Sequence, residues 1–176
     1  MITCSYCASE LTLQENDHTF CGFCNIELGA TSEFGMYSID GVRIEKTQRL
    51  EFVTSETARL SIHELNDLHP LDLILCLREA RSERGQIYNL MRMFNKADET
   101  VTSNNEELKQ YQDMADETGG EYEFWTRKCW MIENLLTQRI GYFPDKVNEM
   151  AVAALESKNQ RSLEKIMNIS RGKRKV

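Results

Sequence analysis

The chain has 176 residues, 41% of them hydrophobic, enough for one sizeable core or a small helical domain with an appendage, which argues against two full-sized domains. Its formal net charge of −7 is unevenly spread: residues 1–30 hold four acids and no Lys or Arg, residues 98–123 hold nine acids against Lys109 alone, and residues 161–176 hold six basic residues against Glu164. No run of about 18 apolar residues occurs, and the opening MITCSYC lacks the basic-then-apolar layout of a signal peptide, so the expectation is a cytoplasmic chain without a membrane partner.

The first element, CSYCASELTLQENDHTFCGFC, carries Cys4, Cys7, Cys21 and Cys24 in two C-x2-C pairs with thirteen residues between them. Cytosolic thiols stay reduced, so such pairs point to metal binding or redox chemistry, with disulfides as the lesser alternative. A divalent zinc ion takes four thiolates at tetrahedral corners, and a C-x2-C turn brings two of them together without strain. The four cysteines are therefore candidate ligands of a structural Zn2+. Iron is the competing occupant of a four-thiolate site. Redox work by either pair would call for a thioredoxin-like βαβ context, which the surrounding residues lack. Four cysteines also close the coordination shell, whereas a catalytic zinc keeps a position open. His18 is the spare ligand nearest this segment and reads as a hairpin residue.

Residues 1–30 resemble the zinc-ribbon superfamily, and the knuckles CSYC and CGFC carry the resemblance. Glycine often follows the second cysteine of such a knuckle; Ala8 and Asn25 stand there in this chain. The resemblance implies a small β fold around the metal and a partner in nucleic acid or the transcription machinery. Zinc would supply folding energy to a segment too small to build its own core.

Between the cysteine pairs, LTL and HTF flank the polar cluster QEND, which predicts a β-hairpin. A second hairpin is predicted for MYSI-DG-VRIE, where Asp40-Gly41 can take the positive φ values of a tight turn. From about Ser55 the periodicity becomes helical. Ser61 and Glu64 have capping-box spacing, and Pro70 suits the first turn of a helix over 70–97 that stacks Leu73, Leu77, Ala80, Ile87, Met91 and Phe94 on one face. EELKQYQDMADETGG reads as a shorter helix stopped by Gly119-Gly120. The next helix puts Tyr122, Trp125, Cys129, Ile132 and Leu136 on one face and ends at Gly141. Pro144 then opens another helix, and SLEKIMNI forms a last one. Cys76 and Cys129 sit among apolar residues and read as small core hydrophobes. The apolar face around Trp125 and Trp130 could close an intramolecular core or a dimer, and periodicity does not separate the two. The fold class is α+β: a zinc ribbon at 1–30, a β-hairpin extension at 31–54, a helical domain at 55–170 and a basic tail at 171–176.

No catalytic constellation emerges. IHELND is not the H-E-x-x-H of a metalloprotease, because Asp67 stands four residues after His63. His69 with Asp72 fits helix-start chemistry better than a catalytic dyad, and no phosphate-binding glycine pattern occurs. The acids of 98–123 follow no EF-hand spacing and read as a solvated face or as a surface for a basic partner.

The absence of Lys and Arg from 1–30 argues against the ribbon as a phosphate-binding surface. Tyr6 and Phe23 on that acidic background suit docking on a protein, although both could equally shield the metal site. Arg78, Arg81, Arg92 and Lys96 fall within about 60° of one another on the 70–97 helix, taking about 100° per residue. That stripe could follow a phosphate backbone or pair with the acids of 98–123, and the internal pairing is favoured. Arg171, Lys173, Arg174 and Lys175 could add unspecific affinity for nucleic acid. The expectation is a non-enzymatic zinc-stabilised adaptor or regulator that binds a protein partner in transcription or nucleic-acid processing. The alternative is a DNA- or RNA-binding regulator.

Overall fold

A computed structural model describes the backbone of residues 1–14, 17–100 and 105–168, and the side chains of the same residues except 97–100, 105–108 and 112. The architecture is α+β, as the residue pattern predicts. Among the described residues, four short strands precede five helices: β1 (Ile2–Thr3), β2 (Thr19–Cys21), β3 (Ile26–Leu28), β4 (Ser38–Ile39), α1 (Ser55–Arg59), α2 (Ile62–Asp67), α3 (Pro70–Thr100), α4 (Asn105–Ile140) and α5 (Glu149–Leu163). The chain divides into a ribbon unit, Met1–Lys46 with the chain from Ala154 onward, and a helical unit, Thr47–Ala153.

In the ribbon unit the strands form two antiparallel pairs, β1 with β4 and β2 with β3. Both predicted hairpins are corrected. The second C-x2-C pair links β2 to β3, with Phe20 opposite Glu27 and Cys21 opposite Ile26. Before β2, residues 11–14 form no strand among the described residues, the Gln14 amide donates to the His18 carbonyl at 2.9 Å, and Glu15 and Asn16 of the expected turn lie outside the described residues. The Thr19 hydroxyl takes the Thr12 carbonyl at 2.9 Å, and such a side-chain bond competes with a backbone ladder. At the second site, Asp40 and Gly41 do hold positive φ, 51° and 72°, and the Val42 amide closes the turn on the Ile39 carbonyl at 2.9 Å. The strand before the turn pairs with β1 instead, Ile39 opposite Ile2 and Ser38 opposite Thr3. The residues after the turn meet the segment that follows α5: the Met167 amide donates to the Gly41 carbonyl at 2.8 Å, and Arg43 Nε donates to the Lys165 carbonyl at 3.0 Å.

The helical unit is organised by α3 and α4, which pack antiparallel, since Arg81 meets Glu133 and Tyr88 meets Tyr122. Leu73, Cys76, Leu77 and Ala80 of α3 are fully buried, as are Cys129, Ile132 and Leu136 of α4, with Trp125 at 1% exposure. These are the faces the apolar period predicts, with both cysteines in the core. Ala58 of α1 and Leu65 of α2 are also fully buried. Lys128 holds α1 from α4: its ammonium donates to the Arg59 and Leu60 carbonyls, and burial, then the nearby Arg59 charge, lowers its pKa. The Ser61–Glu64 capping box is present in both directions, and Pro70 opens α3. Asp72, in the first turn of α3, is wholly buried; its two oxygens accept from Arg49 Nε at 2.6 Å and from the Leu50 amide at 3.0 Å.

Three helix boundaries differ from expectation. Gly119-Gly120 do not stop a helix, because α4 runs through them to Ile140. Two glycines cost about 2 kcal/mol of helix propensity, which burial of Trp125 and its neighbours outweighs. Pro144 does not open α5, since its carbonyl and that of Asp145 accept from the Arg81 guanidinium at 2.8 and 2.9 Å. Asn148 starts the helix instead, its side chain accepting from the Ala151 amide at 2.8 Å. SLEKIMNI is not a separate helix, as α5 continues to Leu163 and then ends.

Candidate metal centre

Each knuckle is a tight turn whose amides point at sulfur. The Tyr6 amide donates to Cys4 Sγ and the Cys24 amide to Cys21 Sγ, both at 3.4 Å. The chain then leaves each knuckle through a left-handed residue, Ala8 at φ 59° and Asn25 at φ 56°. Their amides return to the Cys4 and Cys21 carbonyls at 3.0 and 2.8 Å. These are the two positions where glycine often stands, so the knuckle geometry is kept by residues that carry a Cβ.

Together the turns bring the four sulfurs within 4.8 Å of one another, Cys4 Sγ 3.9 Å from Cys24 Sγ and Cys7 Sγ 3.6 Å from Cys21 Sγ. The cluster can hold a metal ion and is consistent with a zinc-ribbon-like segment. Cys4 and Cys21 are fully buried and form the centre of the ribbon core with Leu28; Leu11, Ile26 and Tyr37 pack around them. The thiols ionise unequally. Burial raises Cys4 above its usual value. Cys24 is pushed up to about 12 by its contact with Cys7, then by burial and by Cys4. Cys7 falls to about 6: burial acts upward, but hydrogen bonds from the Ser9 side chain and amide, and from Cys24 and Cys21, outweigh it. A cation among four such sulfurs offsets the mutual repulsion that ionising them together would otherwise cost.

His18 stays outside the cluster. Its Nε2 lies 3.1 Å from Thr31 Oγ1, and its Nδ1 faces Glu27 Oε1 at 3.2 Å without the alignment of a hydrogen bond. The two aromatics proposed for docking differ. Tyr6 is engaged within the unit: its hydroxyl donates to the Phe34 carbonyl at 3.2 Å, the Phe34 ring meets it edge-on at 6.4 Å, and Lys46 Nζ sits 3.1 Å from its ring centre. Phe23 is 82% exposed at the second knuckle, and Phe20 on β2 is 50% exposed. Phe20 went unremarked in the sequence, yet it neighbours Cys21 in a strand, where alternate residues face opposite ways.

The basic stripe on α3 is not uniform. Arg81 is tied to Glu133 at 2.8 Å and to the two loop carbonyls, so its carboxylate partner lies beyond the acids of 98–123. Arg78 pairs with Glu79 at 2.9 Å. Arg92 lies over the Tyr88 ring at 5.9 Å, and with Asn89, Met93 and Lys96 it lines a shallow groove. Arg84, which sequence reasoning passed over, lines a neighbouring groove with Arg81, Gly85, Tyr88 and Tyr122. Arg171, Lys173, Arg174 and Lys175 lie outside the described residues. No helix among the described residues is long and apolar enough to cross a membrane. Comparison of the chain with known protein families, with curated proteins and with solved structures gives no match.

Proposed function

We propose that this chain is a non-enzymatic adaptor or regulator whose ribbon unit is built on Zn2+ held by Cys4, Cys7, Cys21 and Cys24, and that it binds a protein partner in transcription or nucleic-acid processing. The carrying observation is the sulfur geometry. A tetrahedron with zinc–sulfur bonds of about 2.3 Å has edges of about 3.8 Å; two of the six sulfur pairs stand at 3.6 and 3.9 Å, and all four sulfurs lie within 4.8 Å of one another. Four protein ligands leave no open position, which makes the metal structural. The exposed Phe23 and Phe20, on a segment without Lys or Arg, support docking on an apolar surface with a basic rim.

Metal analysis of the purified protein should give one zinc per chain, and Cys4→Ser or Cys21→Ser should lose it and unfold the ribbon. Full metal content and unchanged thermal unfolding in both variants would overturn the assignment. For the partner, affinity capture with and without nuclease should retain a stoichiometric protein that Phe23→Ala releases.

A second reading, nucleic-acid binding along α3, has its own support: among the described residues, the groove lined by Asn89, Arg92, Met93 and Lys96 and the one lined by Arg81, Arg84, Gly85, Tyr88 and Tyr122 put basic and aromatic side chains side by side. An Arg84→Ala, Arg92→Ala double variant should then weaken oligonucleotide binding and lower its salt slope by about 2. Unchanged, salt-independent binding would remove α3 from consideration.

A further inference from the structure

We propose that metal at the four cysteines controls whether the segment Lys165–Asn168 is held on the ribbon unit, through a clasp formed by Thr3, Gly41 and Met167. The inference rests on the metal reading above and extends it to a part of the chain far from the cysteines in sequence.

The clasp is a chain of direct contacts. The Met167 amide donates to the Gly41 carbonyl at 2.8 Å. The Gly41 amide in turn donates to Thr3 Oγ1 at 3.0 Å. Thr3 is buried at 2% exposure, shares a 2.8 Å hydroxyl contact with Ser38, and immediately precedes the ligand Cys4. Gly41 is required twice over. Its φ is 72°, and the Met167 carbonyl oxygen lies 2.1 Å from where a Cβ would stand. Both colliding groups are backbone, so neither can swing aside.

The frame that presents Gly41 is slight: β1 and β4 pair over two residues each, and the core beside them is Cys4, Cys21 and Leu28. So small a sheet and core do not hold themselves without a staple. Removing the metal therefore removes the surface on which Met167 is seated. The contact is also narrow, since Thr3, Ala8, Gly41 and Met167 line an open cleft of about 740 Å³. A few bonds beside open solvent belong to the low-stability end of a fold.

Amide hydrogen exchange of the full chain, read on peptides spanning Met167, tests this with three samples: zinc-loaded protein, the same protein chelated under reducing conditions, and zinc-loaded Gly41→Ala. Chelation and Gly41→Ala should each speed Met167 exchange at least tenfold, while Gly41→Ala keeps one metal per chain and an unchanged cobalt–thiolate absorption band after substitution with Co2+. Thr3→Val, which keeps a β-branched side chain and removes the hydroxyl, provides the milder break and should give intermediate exchange with metal retained. Zinc uptake with equal Met167 protection before and after chelation overturns the coupling alone. A chain that takes up no zinc or cobalt overturns the metal reading and the coupling with it.

Discussion

Ala8 and Asn25 hold left-handed backbone at 59° and 56°, and the two side chains tolerate it differently. Asn adopts this region readily, whereas for Ala it costs about 1–2 kcal/mol. Ala8→Gly relieves that strain against about 0.4–1 kcal/mol of added freedom in the unfolded chain. The ribbon should gain up to about 1.6 kcal/mol, read as slower metal loss to a chelator. Asn25→Ala should move the same rate the other way by a comparable amount. The six cysteines make a second test. Burial pushes Cys76 up to about 12, with Asp72 and Glu79 adding to it, and burial also raises Cys129. Thiol labelling of chelated, folded protein should therefore modify Cys4, Cys7, Cys21 and Cys24 and spare these two until the helices unfold. Labelling of all six at one rate would mean that the helical core had opened as well. At this scale the ligands were legible because a C-x2-C turn is local, needing nothing from the rest of the chain. Arg81 was not: the helical angle placed it in a stripe, but its partners Glu133, Pro144 and Asp145 are more than fifty residues away.

Among the elements, α4 offers the sharpest test because it tolerates two consecutive glycines. An added Cβ would meet nothing within 4 Å at Gly119 or Gly120. Alanine at each should stabilise the helix by about 1 kcal/mol, measured as a raised midpoint of thermal unfolding. A lowered midpoint at either site would show that the glycine serves a contact absent here. The capping box of α2 has a pH signature. Hydrogen bonds from the Ser61 side chain, then its amide, lower the Glu64 pKa from the usual 4.5. A lowered folded pKa means the contribution is complete above 4.5 and fades as pH falls through the folded value. Ser61→Ala should accordingly lose stability at neutral pH, and the gap to the parent protein should narrow in acid without closing, because the Glu64 amide still lacks its Ser61 acceptor. Signals within one turn of helix, such as Ser61–Glu64, Pro70 and Gly141, were readable from neighbouring residues. The ends that were misread depended on distant packing: α4 continues because Trp125 and the residues after it are buried, with Arg59 of α1 over the Trp125 ring, and Pro144 stays in a loop because Arg81 binds its carbonyl.

For the molecule as a whole, the two units have separate cores, one of cysteines and one of apolar helix faces. Chelation should abolish the ribbon while leaving most far-ultraviolet helix signal; collapse of that signal together with metal loss would show the helical unit to depend on the ribbon. Asp72→Ala should do the reverse. It strips the partner from Arg49 and the Leu50 amide, at a cost of about 3 kcal/mol, the lower end for a broken buried pair because Arg49 can still reach water. The α+β class and the position of the cysteine cluster could be read from composition and spacing. The return of the chain from α5 to Gly41 could not, since no local pattern marks Met167 as its neighbour.

That return bears on how the protein is made. The ribbon unit takes residues from both sides of the helical unit, Met1–Lys46 and the chain from Ala154. Translation at about 5–20 residues per second leaves roughly 5–20 s between the last of the first part and the beginning of the second. During that interval the nascent chain presents all four cysteines and Gly41, but Met167 has not yet been added. The order of synthesis thus puts the cysteine cluster first and the seating of Met167 last.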